Sequence, residues 1–319
     1  MRYYVGVDIG GTNIRAAVGT ADLTTLAVSK TPTPRTSSEA EFLESVTHVI
    51  TQVCAQSDID PTAVTAAGIG SAGPLDTSAG AIVNPTNLSE GIDRIRIVDH
   101  LETVLETGSI VLRNDAVCGV LAEHALSEKK PDNLVYLTIS TGIGAGVVVD
   151  GSVLSGHRGN AAEVGHMTID PTGQMTCGCG RRGHWEAYCS GANIPDYATV
   201  LYRENAVETR LPVTDTEVPF TAKDVFDVAG SDPLADLVIE RLSRWNTIGF
   251  ANVIHAFAPT RIAVGGAVAL NNPDAVLGPV RENLSEHVMI DMPAIERSEH
   301  GDEIVLKGAL LLAQENGLF

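Results

Sequence analysis

Tyr3-Tyr4-Val5-Gly6-Val7-Asp8-Ile9-Gly10-Gly11-Thr12-Asn13-Ile14-Arg15-Ala16-Ala17-Val18 is an apolar run, a glycine-threonine turn and a second apolar run. The design returns at Leu134-Val135-Tyr136-Leu137-Thr138-Ile139-Ser140-Thr141-Gly142-Ile143-Gly144-Ala145-Gly146-Val147-Val148-Val149-Asp150. Each stretch spells a β-hairpin, and its turn offers backbone N–H groups and a hydroxyl, a geometry that suits an anion. Two such halves facing each other would grip a polyphosphate. The chain has 319 residues, 44% of them hydrophobic, which exceeds one typical core, so two domains with a cleft between them are expected.

Other nucleotide motifs fit less well. Gly142, Gly144 and Gly146 superficially match the dinucleotide fingerprint, but that fingerprint opens a helix and here a β-branched run follows. A Walker loop needs a lysine after the glycines, and neither hairpin has one. A single glycine cluster mostly just turns the chain. The pair, with Asp8 at one tip, says more.

Between the hairpins, helix and strand alternate. Residues 38–56 have helical periodicity, 66–76 read as a strand into a glycine turn, and 97–105 read as a second helix. Residues 109–113 form a strand that delivers Asn114 and Asp115 to the start of a helix over 116–126. A strand-to-helix junction is where α/β sheets bind ligands, although an aspartate there also serves as a plain helix cap. Further on, 237–257 reads as a long amphipathic helix, 261–264 as a strand into Gly265-Gly266, and 308–314 as a terminal helix. The expected division is a small N-terminal α/β domain over 1–115, with a C-terminal helix in 304–319 packing back on it, and a larger domain over 116–303.

His166 is followed by Cys177-Gly178-Cys179-Gly180-Arg181-Arg182-Gly183-His184-Trp185-Glu186, so three of the five cysteines fall between 177 and 189. Thiolate sulfur and imidazole nitrogen in a closed set of four are what a structural Zn²⁺ takes. His166, Cys177, Cys179 and His184 supply such a set, with Cys189 a rival to His184 as fourth ligand. A redox pair or incidental buried thiols are the alternatives. A zinc hydrolase would need an open metal position, and four protein ligands leave none. Trp185 and Trp245 read as core residues.

The net charge is −19, with only Lys30, Lys129, Lys130, Lys223 and Lys307 as lysines against 40 acidic residues. Such a surface repels nucleic-acid phosphates and anionic lipid, so DNA, RNA and membrane are not expected partners. Scarce lysine with arginine retained also resembles proteins of salt-loving organisms, where salt screens the self-repulsion. The opening residues lack the regions of a signal peptide, and no apolar run reaches the ~20 residues of a membrane helix. A cytoplasmic, reduced protein is the expectation.

Taken together, Asp8-Ile9-Gly10-Gly11-Thr12, Asn114-Asp115-Ala116, Ser140-Thr141-Gly142-Ile143-Gly144-Ala145-Gly146, Glu163-Val164-Gly165-His166, Cys177-Gly178-Cys179-Gly180 with Glu186, and Val264-Gly265-Gly266 resemble, in family order, a sugar kinase of the ROK family (repressor, open reading frame, kinase). That family lies within the actin-like and hexokinase-like ATPase superfamily. The resemblance implies two actin-like, ribonuclease H-like α/β domains flanking an active-site cleft. It implies that Asp115 is the general base for a sugar hydroxyl, while Asn87, Asn114, Glu163, His166 and Glu186 hold the other hydroxyls. Asp8, Gly10, Gly11, Thr12, Thr141, Gly142, Gly144, Gly265 and Gly266 would surround ATP and Mg²⁺, and Zn²⁺ would be structural. His184 stands where the family usually has a third cysteine. The sixth hydroxyl of glucose is the first-choice acceptor, with fructose, mannose, N-acetylglucosamine and N-acetylmannosamine as alternatives, and ADP or polyphosphate as alternative donors. A homodimer or homotetramer is implied. A sugar-sensing protein without catalysis is the second reading; a DNA-binding repressor would need a winged-helix segment before Asp8 and a less acidic surface.

Overall fold

The computed structural model describes residues 2–85, 88, 91–215 and 217–314. Contacts divide the chain into a first unit of Met1–Asp132, Gly146–Ala162 and Asp302–Phe319, and a second of Asn133–Ala145 and Glu163–Gly301.

The first unit is built on β1 (Tyr3–Ile9), β2 (Asn13–Thr20), β3 (Thr25–Pro32), β4 (Val64–Ser71) and, after a small sheet of β5 (Leu75–Asp76), β6 (Ala81–Val83) and β7 (Arg94–Ile95), β8 (Ile110–Asn114). The large sheet is ordered β3-β2-β1-β4-β8. β1 pairs antiparallel with β2, placing Asp8 opposite Arg15, and β4 runs parallel to both β1 and β8. Val5, Val7 and Ile9 point into a core completed by Phe42, Val49 and Ile50 of α1 (Glu39–Gln56) and Leu101 of α2 (Ile97–Leu105). Ser38 stops α1 from starting earlier, because its side chain accepts the Glu41 N–H at 3.3 Å.

The other face of that sheet carries the C-terminal helix, Ile304–Gln314, and α3 (Asp115–Leu126). These elements approach closely because small residues line the contact. A Cβ on Gly68 would overlap the Ala309 carbonyl, and one on Gly308 would overlap that of Cys118. The division of the chain follows from this packing and differs from the expected 1–115 and 116–303. The helix after Asp115 is locked to the C-terminal helix, so the first unit runs on to Asp132. Gly146 lies against the Ala116 carbonyl with no room for a side chain, which draws 146–162 into the same unit.

The second sheet contains β9 (Leu134–Ile139), β10 (Ile143–Val149), β11 (Ser152–Val153), β12 (Arg261–Gly265) and β13 (Ala294–Arg297). Its order is β11-β10-β9-β12-β13, which repeats that of the first sheet strand for strand. β12 is parallel to β9 and β13. Around the second unit's strands lie α4 (Glu186–Cys189), α5 (Ile194–Asn205), α6 (Ala222–Val228), α7 (Pro233–Phe257) and α8 (Ala267–Asn271). α7 begins four residues before the expected start at 237, because Asp232 accepts from the Leu234 and Ala235 N–H groups at 3.1 and 3.0 Å and Pro233 suits the first helical position. Among the described residues, no helix is long and apolar enough to cross a membrane.

Candidate active site and metal centre

The first glycine turn closes with Gly10 N–H donating to the Asn13 carbonyl at 3.0 Å. It is braced from beyond β3, where the Thr33 hydroxyl donates to the Gly10 carbonyl at 2.6 Å and the Thr33 N–H to that of Thr12 at 3.0 Å. Gly11 is half-buried and Thr12 exposed. Asp8, buried at the end of β1, accepts both Nε (2.8 Å) and Nη2 (2.5 Å) of Arg15 on Oδ2. Burial raises its pKa, the Arg15 guanidinium only partly offsets that, and Asp302 adds repulsion.

At the end of β8, Asn114 is the cap of α3, its side-chain oxygen accepting the Ala116 N–H at 2.9 Å. Asp115 is the first helical residue, and its Oδ1 reaches the same N–H at 2.8 Å. The capping role that position alone left open for Asp115 thus falls first to Asn114. Asn87 lies outside the described residues.

In the second unit, the Ser140 N–H donates to the Gly142 carbonyl at 2.9 Å to close the second turn. The N–H groups of Gly191 and Ala192 hold it from behind through the Ser140 and Thr141 carbonyls, at 2.7 and 3.2 Å. Thr141 is exposed, and Gly142 and Gly144 are half-buried. Gly266, with φ +88°, sits against the Ile139 carbonyl where a side chain would collide, and Gly265 lies against the Tyr136 ring. These glycines are needed because β12 ends tight on β9.

Two carboxylates stand beside this turn. Glu186, 6% exposed, accepts the Ile143 N–H on Oε2 at 2.8 Å, and the Cys177 thiol lies 3.5 Å from Oε1. Gly165 packs under the Ile143 carbonyl without room for a side chain, which brings the half-buried Glu163 and His166 to the same neighbourhood. Burial raises the pKa of Glu163; His166 opposes the rise and Glu186 reinforces it. Three groups of this kind converging on one place suit a ligand rich in hydroxyls.

The cysteine loop is a miniature hairpin, bridged at Thr168–His184 and Thr176–Arg182. The Cys177 N–H donates to Arg181 and the Gly180 N–H to Cys177, at 2.7 and 2.8 Å, with Gly180 at φ +79° turning the tip. This folds His166, Cys177, Cys179 and His184 so that one ligand atom from each lies within 4.8 Å of the others. The His166 Nδ1 to Cys177 Sγ distance is 3.6 Å, and His184 Nδ1 to Cys179 Sγ is 3.3 Å. A tetrahedron with ordinary Zn–S and Zn–N bonds has such an edge of roughly 3.6 Å, so the donor set fits zinc. Cys189 is elsewhere, its buried thiol directed at the Leu242 carbonyl. Burial, with Glu186 adding, pushes the Cys177 thiol up to about 12, a rise that a bound cation would oppose.

Sequence reasoning missed the loop's anchor. Asp170 accepts from Thr172 N–H (2.9 Å) and Oγ1 (2.7 Å), from Gln174 N–H (3.0 Å) and from the Tyr188 hydroxyl, while Met175 N–H donates to that hydroxyl at 3.0 Å. Burial alone would raise Asp170, but these donors outweigh it and hold the carboxyl at about 2. The Asp-Pro-Thr-Gly spelling of a turn at 170–173 was the available signal. Trp185 is fully buried, its N–H donating to Asn246 at 2.9 Å; Trp245 is half-buried and donates to the Tyr197 hydroxyl at 2.9 Å.

Two sheets of one strand order, each with a braced glycine turn, give an actin-like α/β architecture. The ROK family model matches residues 4–316. A glucokinase from Pyrobaculum calidifontis is 34% identical over 98% of this chain and 95% of its own length. The crystal structure of a ROK hexokinase from Thermus thermophilus superposes with TM-score 0.79 at 32% identity, covering 98% of this chain and 97% of its own. That of a ROK family glucokinase from Streptomyces griseus in complex with glucose and AMPPNP gives TM-score 0.78 at 28% identity, covering 98% and 99%. The chain belongs to the ROK family.

Proposed function

We propose that this protein is an ATP-dependent glucokinase, transferring the γ-phosphoryl group to the 6-hydroxyl of glucose. The observation that carries the reading is the aspartate delivered by β8 to the start of α3, in a chain whose two sheets each end in a braced glycine turn. Near-full-length likeness to glucokinases supports glucose as the acceptor.

Phosphoryl transfer asks the protein for positioning, charge neutralisation and an oriented nucleophile. A sugar hydroxyl is too weak an acid to ionise at neutral pH, so a base must take its proton as the new bond forms. In this reading Asp115 is that base. Asn114, Glu163, His166 and Glu186 hold the remaining hydroxyls, with Asn87 joining them. Thr12 and Thr141 offer hydroxyls, and Gly10, Gly11, Gly142, Gly144, Gly265 and Gly266 backbone, to the nucleotide. A buried carboxylate whose charged form is disfavoured gains from a divalent cation, so Asp8 fits Mg²⁺. Mg²⁺, when bound, supplies neutralisation of the phosphate oxygens.

Zinc belongs to the same proposal, held by His166, Cys177, Cys179 and His184. With Nδ1 of His166 turned to the Cys177 thiol, Nε2 is the nitrogen left to face a sugar, and bound zinc would fix that orientation. The acidic, lysine-poor composition supports a salt-adapted enzyme, and the family resemblance a homodimer or homotetramer.

The test is ADP release with ATP and Mg²⁺ across hexoses and N-acetylhexosamines, at low and multimolar KCl, with Asp115→Asn as control. Turnover on glucose that disappears in the variant is expected. Silence on every sugar from folded, zinc-loaded protein, with ATP, ADP or polyphosphate, would favour the sugar-sensing reading.

A further inference from the structure

Glu163 is reached through a loop that closes on itself: the Ala161 N–H donates to the Ser155 carbonyl at 3.1 Å and the Asn160 N–H to that of His157 at 3.2 Å. The loop is fastened to β5, which lies 85 residues earlier in the chain. Asn160 Oδ1 accepts the Leu75 N–H at 2.8 Å while Nδ2 donates to the Leu75 carbonyl at 2.8 Å, so one side-chain amide takes the place that the backbone of a neighbouring strand would fill. The residues beside it follow the same line. The Arg158 carbonyl accepts the Thr77 N–H at 3.5 Å, Arg158 Nη1 lies 3.8 Å from Asp76, and a Cβ on Gly159 would meet Thr77 Cγ2 at 2.7 Å. All of these residues belong to the first unit, and Glu163 is the first residue of the stretch that follows in the second. Two further features connect the fastening to Glu163. Ala162, directly before it, holds φ +60°, a conformation that costs an L-residue energy and persists only where the surroundings impose it. Gly165, two residues after it, is fixed under the Ile143 carbonyl. Glu163 is thus suspended between anchors at Asn160 and Gly165, with too little chain on either side to absorb a shift.

We propose that Asn160 is a positioning residue for the sugar: its amide, locked on both backbone polar groups of Leu75, sets where the chain enters Glu163, and Ala162 sets the direction in which the carboxylate is presented. This rests on the reading of Glu163 as a sugar-holding group. Asn160 touches no substrate in this account and acts only through Glu163, so its loss falls on the sugar and spares the nucleotide.

The experiment is coupled ADP release by the full chain, with glucose titrated at saturating ATP and ATP at saturating glucose, alongside a thermal melt. Asn160→Ala should raise the glucose KM about tenfold while the ATP KM stays within about twofold of the parent, because a misplaced carboxylate costs sugar contacts alone. Asn160→Asp keeps the shape and the acceptor but turns a second oxygen toward the Leu75 carbonyl, so it should fail to recover the parent value. Ala162→Val, which puts a β-branched side chain where φ is positive, should raise the glucose KM by a separate route. In a Glu163→Gln background, Asn160→Ala should add less than about twofold, since both changes act through one carboxylate. A lowered melting temperature with both KM values unchanged would leave Asn160 a loop fastener and overturn the proposal, and so would effects of Asn160→Ala and Glu163→Gln that simply multiply. Should Asn160→Ala not fold, an unchanged glucose KM in Asn160→Asp and Ala162→Val would overturn it as well. Glu163→Gln with the glucose KM of the parent would instead bring down the sugar-holding role of Glu163 on which the proposal rests.

Discussion

Gly142→Ala tests whether Glu186 is a sugar-holding carboxylate. A Cβ on Gly142 would sit 2.6 Å from Glu186 Oε2, where ordinary contact begins at 3.4 Å. The carboxylate must then retreat by about 0.8 Å, stretching its 2.8 Å bond from the Ile143 N–H to about 3.6 Å, beyond useful hydrogen-bond range. Losing a charge-assisted bond at a buried carboxylate costs about 1.5–3 kcal/mol. The displaced oxygen would present itself to a hydroxyl with the same error, so the glucose KM should rise about ten- to a hundredfold. The assay is coupled ADP release, titrating glucose at saturating ATP and then ATP at saturating glucose. Gly230→Ala is the control: its φ of +82° also penalises a side chain, but the space is open and far in sequence from either turn. A glucose KM within about twofold of the parent, in a folded Gly142→Ala protein, would refute the assignment of Glu186. A raised ATP KM alone would assign the carboxylate to the phosphate turn only.

Asp170→Asn should destabilise the protein at neutral pH. Because the folded pKa is depressed to about 2 from an ordinary 3.8, that contribution is full above pH 3.8 and is lost as pH falls toward 2; denaturant midpoints of parent and variant should therefore converge in acid, and a gap independent of pH would contradict the charge account. Gly308→Ala forces a side chain onto the Cys118 carbonyl, so the C-terminal helix must shift and the melting temperature by circular dichroism should fall by about 3–10 °C; an unchanged melt would show that this contact yields freely. If zinc occupies the proposed site, chelating it, or Cys177→Ala, should raise the glucose KM about tenfold before ADP affinity moves, with metal content followed alongside; unchanged sugar kinetics in metal-free protein would detach the loop from the sugar site.

The hairpins were legible because their two apolar runs and glycine turns are local features: β1–β2 and β9–β10 close at the residues that spelled them. Helices at Glu39–Gln56 and Ile97–Leu105 followed their periodicity for the same reason. The edge strand β3 was not read from sequence, since Leu26 and Val28 stay exposed and no apolar alternation announces it. The boundary of the first unit was misplaced because it depends on backbone-to-backbone contact at Gly68, Gly146 and Gly308, which no single segment reveals. Of the site, His166, Cys177, Cys179 and His184 lie close in sequence, and their clustering in the structure is local for the same reason, while the Cys189 thiol is directed elsewhere. The bond from Ile143 to Glu186 spans 43 residues, and the Asp8–Arg15 pair becomes visible only through strand register.

That Ile143–Glu186 bond has a thermodynamic corollary. One end is backbone of the glycine turn and the other a carboxylate beside Glu163 and His166, so ordering either end restricts the other. Linkage is reciprocal: the factor by which glucose tightens ADP must equal the factor by which ADP tightens glucose. Glucose and ADP would then be weighed on one balance, whose beam is a single 2.8 Å hydrogen bond.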